Sequence, residues 1–403
     1  PASVAVGDLN GDGKPDMAVA NFNSHTVSVF LNNGNGTFAA KIDYGTGSFP
    51  FSMALGDFNG DGKPDLAVAN QNPNTVSVFL NNGNGTFAAT GDYGTGSGPV
   101  SVALGDFNGD GKPDMAVANG GSNTVSVLLG NGNGTFAAKV DYGTGIAPVF
   151  VAVGDFNGNG KPALAVANQN SNTVSVLVNN GNGTFAAKVD YGTGSGPWAV
   201  ALGDLNGDGK PDLAVANASV NTVSVFLNNG NGTFAAKADY GTGSTPIFVA
   251  VGDLNGDSKP DLAVANLTSD TVSVLLGNGN GTFAAKVDYG TGSQPVSVAV
   301  RDFNGDGKPD MAVANFNSYT VSVLVNNGNG TFATKVDYGT GTQPQSVAIG
   351  DFNGDGKPDL AVVNVGAHTV SVFLNNGNGT FAATVDYGTG NSCLLYTSPS
   401  PRD

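Results

Sequence analysis

Short apolar runs alternate with polar turns along nearly the whole chain, and residues 99–147 show the pattern in full. In Thr124-Val125-Ser126-Val127-Leu128-Leu129, polar Thr124 and Ser126 alternate with Val125, Val127 and Leu129. That is the period-two signature of a strand with unlike faces. Two shorter runs of strand character, 100–104 and 115–118, flank a polar loop upstream. Downstream, Thr135–Tyr142 sets Phe136, Ala138, Val140 and Tyr142 on one side. Asn131-Gly132-Asn133-Gly134 between the last two runs is a hairpin signal, because Asn-Gly tolerates positive φ. Gly143-Thr144-Gly145 then turns the chain back. The pattern predicts four short antiparallel strands, over 100–104, 115–118, 124–129 and 135–142.

The unit repeats. Copies open at Pro1, Pro50, Pro99, Pro148, Pro197, Pro246, Pro295 and Pro344, each 49 residues after the last. Eight copies fill residues 1–392, and a fixed period of this size marks an array or a propeller. A β-solenoid is the competing arrangement, but it has little use for Asn-Gly hairpins. An all-β propeller of eight four-stranded blades, 49 residues per blade, is the predicted fold.

Between the first two strands of each copy lies an acidic loop, first seen as Asp8-Leu9-Asn10-Gly11-Asp12-Gly13-Lys14-Pro15-Asp16. Oxygen-bearing side chains stand at loop positions 1, 3, 5 and 9, and the backbone carbonyl of position 7 can face the same point. A hard cation such as Ca2+ takes six to eight oxygens, and Gly at position 6 permits the sharp turn. Seven copies are complete: Asp8, Asn10, Asp12, Lys14 and Asp16; Asp57, Asn59, Asp61, Lys63 and Asp65; Asp106, Asn108, Asp110, Lys112 and Asp114; Asp204, Asn206, Asp208, Lys210 and Asp212; Asp253, Asn255, Asp257, Lys259 and Asp261; Asp302, Asn304, Asp306, Lys308 and Asp310; Asp351, Asn353, Asp355, Lys357 and Asp359. The fourth loop has Asn159 at position 5 and Ala163 at position 9, so two of three carboxylates are gone and it is expected to be empty or weak. Ser258 replaces Gly in the sixth, which should strain the turn more than remove the site. About seven structural Ca2+ ions are therefore expected.

Composition agrees. All 32 acidic residues are Asp, the turn-forming acid, and the formal net charge is −16. About seven divalent ions would neutralise most of that charge, so the acidity reads as a metal requirement. Nucleic-acid binding is disfavoured by the same charge. No apolar run is long enough to span a membrane as a helix. The only cysteine, Cys393, lies outside the repeats, so the folded part cannot rely on disulfides.

Tyr93-Gly94 followed by Leu104-Gly105-Asp106-Phe107-Asn108-Gly109-Asp110-Gly111-Lys112-Pro113-Asp114-Met115-Ala116-Val117 resembles the FG-GAP repeat and the related VCBS repeat. Tyr stands for the Phe of "FG", and Ala118-Asn119 stands where integrin α-subunits have "GAP", so the bacterial branch is closer. The resemblance covers 1–392 and implies a calcium-stabilised propeller, secreted or at the cell surface. Relatives bind proteins or sugars, and some are polysaccharide lyases. The expected function is a monomeric binding or adhesion module for a glycan or protein ligand. The alternative is a domain of a polysaccharide-active enzyme.

The copies differ mainly in two places, the connections between strands two and three and the joints between blades. In a four-stranded blade both lie on the face opposite the acidic loops, so a ligand is expected there. Trp198, the sole Trp, and Phe248 are the chosen ligand-binding candidates, against a role filling space between blades. His25 and His368 share one repeat position and suit a paired metal or pH-sensing site less well than ordinary loop roles. Arg301 replaces the Gly that precedes the loop in every other copy. The Asn-Gly-Thr of each hairpin (Asn35, Asn84, Asn133 and equivalents) is a sequon that the turn itself explains. No catalytic set is evident, since Glu is absent and His is scarce. Residues 393–403 share nothing with the repeats and read as the translation of a sequencing adapter.

Overall fold

The computed structural model describes residues 1–390, which excludes the 393–403 segment. Every regular element among them is a β-strand, and the strands form eight four-stranded antiparallel sheets. Each sheet is built from one repeat with its strands in sequence order, except that the first strand of blade two takes in the last two residues of the first repeat, Ser48 and Phe49. In the third blade the strands are Pro99–Gly105, Asp114–Asn119, Thr124–Leu128 and Val140–Gly143. First strands contact one another from blade to blade, including the first blade to the last, so they form the innermost ring.

The second strand explains why the blades stack. Its residues are buried on both faces, with large and small side chains alternating. Met115 and Val117, with Leu128 and Phe136, face blade two and meet Phe58, Ala67, Ala69, Val76 and Val78. Ala116 and Ala118, with Phe107, Val125 and Val127, face blade four and meet Val151, Leu164, Val166, Leu177 and Phe185. Bulky residues on one face thus fill the space left by alanines on the next, which gives close packing with few voids. The same contact closes the ring: Met17, Val19, Phe30 and Phe38 of blade one pack on Phe352, Ala361, Val363, Val370 and Val372 of blade eight. Closure is by face packing, and no strand is exchanged between the ends.

The fourth strand departs from expectation. In seven blades the run breaks after a single bridge, such as Gly130↔Phe136, and resumes at a four-residue strand. Phe136 is buried and Tyr142 is half-buried against Phe185 of the next blade, but Ala138 and Val140 are exposed. This strand is the outer edge, with one pairing partner, so nothing enforces continuous pairing. Blade two alone runs unbroken over Phe87–Gly94, using a bulge where Gly91 takes φ 151°.

Candidate metal loops and the variable face

The acidic loops and the Asn-Gly hairpins share one face of the ring. The Asp8 carboxylate is wrapped by the loop itself: Oδ1 accepts from Gly11 N at 2.7 Å and Oδ2 from Gly13 N at 2.8 Å. Asn10 Oδ1 accepts from Asp12 N, and Asp12 Oδ1 from Lys14 N. Gly11 and Gly13 make this possible with φ of 77° and 81°. Ser258 in the sixth loop holds the same turn at φ 64° and still donates to Asp253 Oδ2 at 2.8 Å.

Position 9 has a structural duty that sequence pattern alone did not reveal. Asp16 is fully buried, and its carboxylate accepts from Leu9 N at 2.8 Å and from Asn32 N at 2.7 Å. It ties the loop to the start of the hairpin. Asp65, Asp114, Asp212, Asp261, Asp310 and Asp359 do the same. Ala163 in the fourth blade offers neither bond. Burial raises the pKa of these carboxylates against the opposing backbone N–H bonds, and the neighbouring loop Asp residues add to the rise. Asp212, Asp261 and Asp359 are pushed up to about 6.

Lys14 also does more than expose a carbonyl. Its ammonium pairs with Asp12 at 3.3 Å, and its stem lies where a Cβ on Gly34 would fall. The loops bridge blades as well: Gly134 N of blade three donates to the carbonyl of Phe58 in the blade-two loop at 2.9 Å. Equivalent bonds join Gly183 to Phe107 and Gly232 to Phe156.

Chemically the loop fits a hard cation. Asp8, Asn10, Asp12, the carbonyl of Lys14 and Asp16 each present oxygen atoms of the kind a hard cation takes, although Asp8 Oδ1 already accepts from Asn10 N, Gly11 N and Asp12 N. The carboxylates are not drawn together, however. Among the described residues no three His, Cys, Asp or Glu side chains converge as a metal-binding group.

The opposite face is held by a polar chain repeated in every blade. Asn119 Nδ2 donates to Ser126 Oγ at 2.9 Å, and Ser126 Oγ donates to Asp141 Oδ1 at 2.6 Å. In six blades a lysine, here Lys139, pairs with the other carboxylate oxygen, and Thr90 and Thr384 stand at that position in blades two and eight. Gly96 N, from the joint leading out of blade two, donates to Ser126 Oγ at 3.0 Å. The turn between strands two and three places one residue in the left-handed region, Asn123 at φ 58°, and its Oδ1 accepts from Ala147 N of the next joint.

His25 takes that same role in blade one. Its Nδ1 accepts from Phe49 N at 3.1 Å, as Asn74 Oδ1 accepts from Gly98 N in blade two. The histidine position is thus a turn position that asparagine also fills. His368 adopts the same backbone, φ 54°, and its carbonyl accepts from Thr389 N.

Trp198 and Phe248 go separate ways. Trp198 sits at the bulge between Pro197 and Ala199 and is 44% exposed. Phe248 pairs with Ala265 and packs partly buried against Val298 and Met311 of the next interface. Among the described residues no ring contact joins them. Arg301 is exposed on the loop face beside a cavity of about 650 Å³, with Val251, Asp302 and Phe303 among its lining. It makes no ion pair among the described residues. Asn35 Oδ1 accepts from Thr37 N and Oγ1 at 3.1 and 2.6 Å, which is the hairpin explanation of the sequon.

An eight-bladed ring whose inner strands each lead into an Asx-rich loop defines a β-propeller of repeated loop-bearing blades. The chain belongs to the FG-GAP-like repeat family, whose model matches 8–68, 57–117, 106–166, 155–215, 204–264, 253–313 and 302–362. No curated protein matches the chain in sequence. Among solved structures it is similar to an Agrocybe aegerita lectin that recognises non-reducing terminal N-acetylglucosamine. That pair is 22% identical over 83% of this chain and 94% of the lectin, with TM-score 0.53. It is also similar to the dihydro-heme d1 dehydrogenase NirN, at 13% identity over 96% and 75%, with TM-score 0.66. A functionally unknown protein from Desulfotomaculum acetoxidans is 12% identical over 80% and 98%, with TM-score 0.56. At these identities the likeness is one of fold.

Proposed function

We propose that this propeller is a calcium-stabilised binding module of the bacterial exterior, secreted or held at the cell surface, that takes a glycan or protein ligand and performs no catalysis. The observation that carries the reading is the contrast between the two faces of one ring. The loop face repeats nearly the same residues eight times, whereas the opposite face changes from blade to blade at the joints. A rigid frame with one uniform and one varied face suits display of a binding surface. In the same reading, Ca2+ relieves repulsion between the loop carboxylates and consolidates loops that hold hairpins and neighbouring blades. The fold shared with a lectin is compatible with a sugar ligand. Screening the intact protein in calcium against immobilised glycans tests the proposal. Retention on a defined glycan class is expected, and no retention on glycans or on cell-surface protein extracts contradicts it.

A further inference from the structure

One joint on the variable face differs from all the others. Phe22 of blade one lies 4.9 Å from Phe49, centroid to centroid, at 41°, and 6.2 Å from Phe51 at 75°. The His25 ring stands edge-on to Phe49 at 5.1 Å. Phe49 and Phe51 are 37% and 38% exposed, and Phe22 and His25 are half-buried. At the next joint the positions of the three phenylalanines hold Gln71, Gly98 and Val100, and none of the other joints holds three aromatic residues there.

The shared geometry of the joints fixes where these rings stand. Phe49 takes φ 59°, the left-handed backbone that this joint position adopts in other copies too, as Gly98 and Gly196 and also as Ala147, Thr245, Gln294 and Gln343; here it carries the bulkiest side chain. A bulky side chain there is strained, and the joint's hydrogen bonds hold it in place. Here the first strand of blade two starts early, over Ser48–Gly56, and Ser48 pairs with Asn72. The His25–Phe49 hydrogen bond fixes the turn from the other side. Since Nδ1 accepts that bond, a neutral His25 carries its proton on Nε2 and presents a donor.

We propose that Phe22, Phe49 and Phe51, with His25 beside them, form a stacking platform for one or two pyranose rings of a neutral glycan. The inference rests on the binding-module reading and gives it a place and a ligand class. Size selects the occupant. Two rings exposed by a little over a third present about 150 Å² between them, far below the roughly 800 Å² per partner of a stable protein interface. That area matches a sugar ring, whose C–H face stacks on an aromatic face while its hydroxyls reach donors at the edge. Charge selects further. The platform has no Lys or Arg to pair with a carboxylate, so acidic sugars are disfavoured.

The chain's own copies supply the test variants. Phe49→Gly and Phe51→Val install residues that other blades use at the same positions. Binding is measured in calcium to cellohexaose, chitohexaose, laminarihexaose and mannohexaose, beside thermal melting. At least one neutral oligosaccharide is expected to bind, and each variant to weaken it about tenfold or more. Phe49→Gly is expected to melt no lower than the parent, because it relieves the left-handed strain. Unchanged sugar affinity in both variants places the site elsewhere and leaves the binding-module reading standing. A lower melting point with affinity per folded molecule intact makes the rings packing elements and overturns the platform. Binding confined to proteins or uronates overturns the neutral-glycan assignment, and no binding to any ligand class overturns the module reading itself.

Discussion

Gly36 donates its backbone N–H to the carbonyl of Phe352 at 3.0 Å, so the hairpin of the first blade is hydrogen-bonded to the acidic loop of the last. The two residues belong to the first and the last repeat. Gly36 has φ 80°, and a Cβ there would lie 2.4 Å from Leu374 Cδ1. Gly36→Ala is therefore expected to destabilise the fold by about 1–3 kcal/mol, through strain and loss of the closing contact. Gly45→Ala is the control, since nothing lies within 4 Å of its Cβ and its φ is not positive. Urea unfolding of both variants checks this; equal midpoints would mean that the closing contact contributes nothing.

Trp198→Ala is expected to change stability by no more than about 0.5 kcal/mol, because the ring is 44% exposed at a bulge and fills no core space. Phe248→Ala, which empties part of an interface, should cost more. Thermal melts of the pair decide. A larger loss for Trp198 would contradict the placement of its ring.

Metal-free protein should become more stable as pH falls from 7 toward 5. Asp212, Asp261 and Asp359 have pKa values of about 6 when folded, against 3.8 as the ordinary value. The folded state binds more protons between those values, so their contribution is fully present below about 3.8 and is lost as pH rises through about 6. With calcium bound the sign reverses, since protons then compete with the ion for the loop oxygens. Urea midpoints at pH 5 and pH 7, with and without calcium, test both signs. A metal-free protein that is less stable at pH 5 would contradict the first.

The fourth loop offers a repair. Asn159→Asp with Ala163→Asp restores the loop residues present in the complete copies and should raise bound calcium from about seven to about eight ions per chain. Metal analysis after dialysis measures it. Eight ions in the unaltered protein would contradict the reading of loop four.

Strands one to three and the division into faces were legible because an alternating pattern repeated eight times at fixed spacing admits few arrangements. The break in strand four was not. Val140 reads as an inward residue by alternation, yet at an outer edge Lys139 and Asp141 pair across it and the strand need not continue inward. The acidic loop was legible as an oxygen-rich turn, but spacing does not say which way a carboxylate points. Asp16 turns inward because Leu9 N and Asn32 N would otherwise be buried without acceptors. Trp198 drew notice through rarity, whereas Phe22, Phe49 and Phe51 form a cluster only because the joint folds residues of two repeats together.

The central claim is that calcium in these loops holds the ring. A site at one hundred times its dissociation constant adds about 2.7 kcal/mol, and several sites in one cooperative unit would add in proportion. The direct test is thermal unfolding of the intact protein in millimolar calcium and in excess chelator. A midpoint many degrees higher in calcium, rising further with calcium concentration, is the result expected; the same midpoint in both would contradict the claim.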